Sequence, residues 1–244
     1  RPISSKMPIK TYGSAVYGIE AIAITIEVNI SSGTKYYMVG LPDNAVKESM
    51  LRVESAINNS GYRMPRQKIV INLAPADIRK EGSAYDLPLA LCILKASGQI
   101  NVEDLEKYMI MGELALDGEL RPIKGVLPIA IQARKEEFKG FILPKSNARE
   151  AAIVNNLHII GVETLKDAID FLEGTKKIEP LVVDTRDVFM SKLNSYDSDF
   201  KDVQGQENIK RALEIAAAGG HNVIMIGPPG VGKTMLAKDR KSVV

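Results

Sequence analysis

The sequence predicts an α/β protein in two parts. A mixed α/β domain spans residues 7–173; after a linker at 174–201, the opening of a phosphate-loop α/β domain spans 202–238. Three observations predict this. β-branched runs alternate with segments of helical period from residue 19 to 173. A polar stretch with Lys176, Lys177, Pro180 and the run from Ser195 to Asp199 then breaks the alternation. Finally, Gly227-Pro-Pro-Gly-Val-Gly-Lys-Thr234 follows directly on the apolar run 222–226.

Residues 19–30 are β-branched and largely alternating, which reads as a strand. Ser31-Ser-Gly33 reads as a turn and 35–39 as a second strand, giving a hairpin. From 43 to 59, Val46, Met50, Val53 and Ile57 recur at helical spacing, and Gly61 closes that helix. Residues 68–73 form a strand. Residues 86–96 form a buried helix, with Pro88 in its tolerant first turn. Strands at 108–111 and 113–116 precede a tight turn at Asp117-Gly118. Helix (126–137), strand (140–143), helix (147–155), strand (157–160) and helix (164–173) complete the domain. The linker holds one short candidate strand at 181–183. Residues 206–218 are then helical, with Ile209, Leu213 and Ala216 on one face, and 222–226 is a short parallel-type strand.

Composition bounds the function classes. The chain is 45% hydrophobic and 25% charged with a net charge of +2, too little to argue by itself for nucleic acid or membrane. No apolar run reaches the roughly 18 residues a membrane span needs, and no secretory signal opens the chain. Cys92 is the one cysteine, so no internal disulfide forms, and a reducing cytoplasm fits.

The strongest chemical signal is the phosphate loop. Gly227, Gly230 and Gly232 let the backbone turn several N–H groups inward onto a β-phosphate, with Pro228, Pro229 and Val231 between them. The helix that starts beyond Thr234 adds its dipole. Lys233 supplies a point charge to the β- and γ-phosphates, and Thr234 a hydroxyl to Mg²⁺. The implied cofactors are ATP and Mg²⁺.

The two ends read as foreign to the domain. Met7 opens an ordinary-looking start, so residues 1–6 are expected to be upstream sequence translated in frame. Residues 239–244 resemble a reading frame of a sequencing adapter, which places the last natural residue at Lys238; the alternative is a genuine terminus.

Asp202-Val-Gln-Gly-Gln206, Gly219-Gly-His-Asn222 and the phosphate loop together resemble the AAA+ module of the Mg-chelatase-like YifB/ComM family. So do three motifs of the first domain: 38–49, 71–77 and 80–88. The resemblance covers about residues 7–238. It implies a Lon-protease-like α+β first domain, the start of an AAA+ ATPase, and a hexameric homo-oligomer. It also implies Val203 and Gln204 at the adenine, and for the ComM branch an ATP-driven DNA helicase active in branch migration during transformation. The acidic residue, sensors and arginine finger needed for hydrolysis are expected beyond residue 244, so no catalytic residue is assigned within this chain.

Lon-type proteases use a serine and a lysine. Laying their motifs on 80–84 and 122–127 puts Ala84 at the nucleophile and Leu127 at the base. Neither can do the chemistry, although Ser83 and Lys124 stand close by in sequence. Cys92, among Leu89, Leu91, Ile93 and Leu94, reads as core. His158 lacks companion ligands for a metal. His221 matches the family's Gly-His-Asn motif, with a structural role as likely as a nucleotide contact. Two basic clusters, Arg63 with Arg66 and Lys68, and Arg79 with Lys80, are candidates for DNA phosphates, with a solvated face as the default. Asp77 and Asp86 have no evident acid–base partner. Three function classes remain: a DNA motor, an ATPase coupled to metal insertion, and a binding module in the chain as it stands.

Residues 202–238 are fewer than the roughly 40 that usually fold unaided. The sequence therefore predicts a loosely docked tail from about 174 onward and negligible ATP affinity for this chain. Limited proteolysis with and without Mg-ATP checks this: early cleavage in the tail is expected, unchanged by nucleotide.

Overall fold

The computed structural model describes residues 7–182 and 207–218. The chain divides into two units, Arg1–Val183 and Asp184–Val244. Of the second unit, the described part is one helix, Glu207–Ala218, carrying Ile209, Leu213 and Ala216 as its sequence pattern predicts.

The first unit opens with two strands. β1 (Ile9–Tyr17) and β2 (Glu20–Ser31) form a tight antiparallel hairpin from Ile9↔Val28 to Tyr17↔Glu20. Alternation in β2 buries Ile24, Ile26 and Val28 on one face. β1 was not expected as a strand from its sequence. β3 (Tyr36–Val39) follows, but not as a hairpin partner of β2. It pairs in parallel with β4 (Lys68–Ala74), and β4 lies between it and β2. Burial explains the difference. β4 presents Ile69, Ile71 and Leu73 to the core, and an inner place in the sheet encloses them. The β3–helix–β4 connection is the usual crossover between parallel strands.

That crossover is α1 (Asn44–Asn59), capped by Asp43, whose carboxylate accepts the Val46 N–H at 2.8 Å. Its buried stripe is Val46, Met50, Val53 and Ile57, as the periodicity requires. α2 (Asp86–Ala96) is the central helix, with every residue from Asp86 to Leu94 buried. β5 (Tyr108–Ile110) joins the sheet beside β1. β6 (Glu113–Leu114) and β7 (Leu120–Arg121) form a separate small hairpin around the Asp117-Gly118 turn, so the strand expected at 113–116 is only two residues long. α3 (Val126–Lys135), β8 (Gly140–Pro144), the single turn α4 (Ala148–Ala151), β9 (His158–Val162) and α5 (Leu165–Leu172) complete the unit. The helix expected at 147–155 shrinks to that one turn. α5 starts in a capping box of Thr164 and Asp167. The seven-stranded sheet runs β3-β4-β2-β1-β5-β8-β9, parallel except where β2 meets β1 and β4. No strand forms at 181–182, though the Leu181 N–H donates to the Ile159 carbonyl at 3.0 Å.

One ion pair holds the helical layer. Asp86 is fully buried and accepts Arg52 Nε at 2.7 Å and Nη2 at 3.0 Å. It also accepts the Leu114 N–H at 3.1 Å, tying α1, α2 and β6 together. Burial pushes the Asp86 carboxyl above its ordinary range, against the pull of the guanidinium. Arg52→Met leaves this carboxylate uncompensated and is expected to cost about 3–5 kcal/mol. The double change Arg52→Met/Asp86→Leu is expected to recover most of that loss. Urea unfolding of the three proteins checks both.

Candidate functional site

The segment 79–84 is fastened at several points. Lys80 lends its backbone to both sides: its N–H donates to Leu41 O at 3.1 Å and its carbonyl accepts Asp43 N–H at 2.9 Å. Its side chain is fully buried, and Nζ donates to Gly40 O at 2.7 Å and to Pro75 O. Desolvation pulls the Lys80 pKa below its ordinary value. Gly40 is required there. Its φ is +103°, and an added Cβ would fall 2.0 Å from Leu73 O. Asp43, besides capping α1, accepts the Gly82 N–H at 3.2 Å.

This fastened segment forms one wall of a cleft of about 630 Å³. The end of β1 forms another wall, through Ser14, Val16 and Tyr17. Tyr17 Oη donates to Arg79 O at 2.5 Å, and Tyr85 Oη to Ser14 O at 3.0 Å, so the walls are cross-linked. Glu113 enters from β6, and Lys124 from the loop before α3. That loop is held by Asn147, which accepts Ile123 N–H at 2.8 Å and donates to Ile123 O at 3.0 Å. The Gly112 N–H donates to Ala84 O at 2.8 Å and sets β6 against the cleft.

Ser83, Ala84 and Lys124 all line the cleft. Leu127 does not; it packs on α3 against the core. The Ser83 hydroxyl donates to the Glu113 carboxylate, a partnership that 30 residues of separation hide from the sequence. Among the described residues no amine hydrogen-bonds to Ser83, so no serine–lysine dyad is assembled. Arg79 pairs with Glu81 at 3.0 Å.

The remaining candidates separate cleanly. Burial corrects the reading of Lys80 as a DNA-facing cation: its ammonium binds carbonyls inside the protein. Arg63 and Arg66 are exposed. Cys92 is core; its Sγ donates to Ile9 O at 3.3 Å, and burial pushes its pKa far up. Asp77 is exposed, and Asp86 serves Arg52. His158 is exposed on β9, and the described residues hold no cluster of three metal-ligating side chains. The phosphate loop 227–234, with Gly227, Lys233 and Thr234, lies outside the described residues, as do Val203, Gln204 and His221.

A family model described as subunit ChlI of Mg-chelatase matches residues 26–147, the stretch that builds most of this cleft. A second, described as magnesium chelatase, subunit ChlI, matches residues 199–244. Competence protein ComM of Haemophilus influenzae is 44% identical over 230 residues, 93% of this chain and 44% of its own length. YifB of Salmonella typhimurium is 47% identical over 225 residues, 91% of this chain and 43% of its own length. The chain belongs to the ComM/YifB family of Mg-chelatase-like proteins.

The DNA repair protein RadA of Halalkalibacterium halodurans is a more distant relative, 25% identical over 175 residues, 70% of this chain and 37% of its own length. This ComM/YifB chain thus spans less than half the length of the curated relatives it matches. Its described part is the Lon-protease-like α+β fold of the family, with a largely parallel sheet. The motif overlay that puts Ala84 and Leu127 at the dyad positions predicts no peptidase activity, and of the two only Ala84 lines the cleft. Incubation with unfolded casein is expected to give no cleavage, and Ser83→Ala is expected to change nothing. Cleavage lost in Ser83→Ala would restore a peptidase reading.

Proposed function

We propose that the full-length protein is an ATP-driven DNA motor of the ComM type, a helicase acting in branch migration. It works as a hexamer in the cytoplasm. The proposed layout is a Lon-like domain at 7–173, a linker at 174–201 and the start of the AAA+ module at 202–238. The carrying observation is the motif Gly227–Thr234, complete in every required position and inside the stretch matched by the second family model. By that motif its glycines would turn backbone N–H groups onto a β-phosphate, Lys233 would bring its charge to the β- and γ-phosphates, and the Thr234 hydroxyl would hold Mg²⁺. Mg²⁺, when bound, neutralises charge developing on the phosphates. By the family resemblance Val203 and Gln204 would lie at the adenine. The names of two relatives, a competence protein and a DNA repair protein, support a DNA substrate.

A second reading, an ATPase coupled to metal insertion, draws on the chelatase description of both family models. DNA dependence separates the two. In the full-length protein, Lys233→Ala is expected to lower ATP hydrolysis by about 100-fold or more. Single-stranded DNA is expected to stimulate hydrolysis by the native protein. Unchanged hydrolysis in Lys233→Ala would remove the site assignment; hydrolysis indifferent to DNA would favour metal insertion.

A further inference from the structure

Away from the cleft, a wider groove of about 1,070 Å³ opens between α1 and the free edge of the sheet. Its floor and rim include Tyr36 of β3, Glu54 of α1, and Arg63, Pro65, Arg66 and Gln67 of the loop between α1 and β4. The loop is anchored through its backbone. Gln99 accepts the Arg63 N–H at 2.9 Å and donates to Arg63 O at 2.7 Å, and Asn58 accepts the Met64 N–H at 3.1 Å. With the main chain fastened, the side chains remain available. Among the described residues, neither the Arg63 nor the Arg66 guanidinium has a hydrogen bond or an ion pair.

Aromatic surface lies next to these charges. Tyr36 is 51% exposed and Tyr37 is 49% exposed, on opposite faces of an edge strand. Tyr36 pairs in register with the buried Ile69, so it lies on the groove side. Tyr37 pairs with Val70 on the other side, where Lys68 Nζ sits 5.4 Å from its ring centroid. The groove therefore offers two guanidiniums, one exposed ring and the amides of Asn58, Gln67 and Gln99 against one carboxylate, Glu54. A duplex hides its bases and would leave Tyr36 unused. A peptide added to the β3 edge would meet main-chain groups but would not need two unpaired arginines. A single strand uses both features, phosphates on arginine and a base face on tyrosine.

We propose that this groove binds single-stranded nucleic acid, with Arg63 and Arg66 on consecutive phosphates and Tyr36 under a base. This deepens the DNA-motor reading by giving the first unit a nucleic-acid surface of its own. The test is fluorescence anisotropy of a labelled oligo-dT on the whole chain across a salt series. Native chain is expected to bind. Arg63→Glu/Arg66→Glu is expected to weaken binding at least about tenfold and to flatten the log–log salt slope by about 1.4, for two phosphate contacts. Tyr36→Ala is expected to weaken binding at least about fivefold with the slope unchanged. Arg134→Glu/Arg149→Glu, exposed on α3 and α4, is the control and is expected to bind like native chain. All these residues are exposed, so thermal melting close to native verifies folding. The proposal is overturned if native chain fails to bind, if the Arg63/Arg66 reversal binds like the control, or if a poly-glutamate peptide binds the groove and oligo-dT does not. The motor reading is judged separately, by DNA-stimulated hydrolysis in the full-length protein, so either can fail while the other stands.

Discussion

The described fold depends first on one dehydrated carboxylate. Asp86 opens α2, the helix buried on all sides, and cannot reach water. It takes two hydrogen bonds from Arg52 and one from the Leu114 backbone. Arg52 Nη2 also donates to Ala45 O at 3.0 Å and Ser49 Oγ at 3.2 Å, both on its own helix. Every strong partner of the pair is thus supplied by α1, α2 or β6. A shift of any of the three strands a charge in the apolar interior, so the three elements hold one relative position. Glu113 precedes Leu114 directly, so the same contact sets where the cleft receives its carboxylate.

Lys80 repeats the theme with the opposite sign. Its ammonium sits among backbone carbonyls with no carboxylate bonded to it, and the loops bearing Gly40 and Pro75 close around it. The cost of drying that charge is offset by the two charge-assisted hydrogen bonds it donates to those carbonyls. The outcome is a cleft with cross-linked walls in which, among the described residues, Ser83 is bonded to a carboxylate and to no amine.

Much of this was legible in the sequence. The stripe Val46, Met50, Val53, Ile57 marked α1, and the apolar run from Leu87 to Leu94 marked a helix without an exposed face. β1 was not legible, because the buried positions of its core face are Thr11, Gly13 and Ala15, small or polar residues that give no apolar alternation. Gly13 is small for a reason: a Cβ there would come within 3.0 Å of Met111 Sδ. The partner of β3 was missed because adjacency in sequence favoured β2, whereas burial of Ile69, Ile71 and Leu73 favoured insertion of β4. Lys80 looked like half of a basic patch, since charge counting sees the residue type and not the carbonyls waiting for it. The Ser83–Glu113 contact left no local trace at all.

The hydrogen bond from Leu181 to Ile159 carries a mechanical consequence. The chain leaves α5, passes along the outer edge of β9 and makes this contact before it runs on. Tension on the following residues therefore reaches the sheet first as a peeling load on one backbone bond, and only afterwards as a pull on α5. A single such bond yields at low force. The departing chain can come off the sheet edge like tape from its end, leaving the seven strands unstrained behind it.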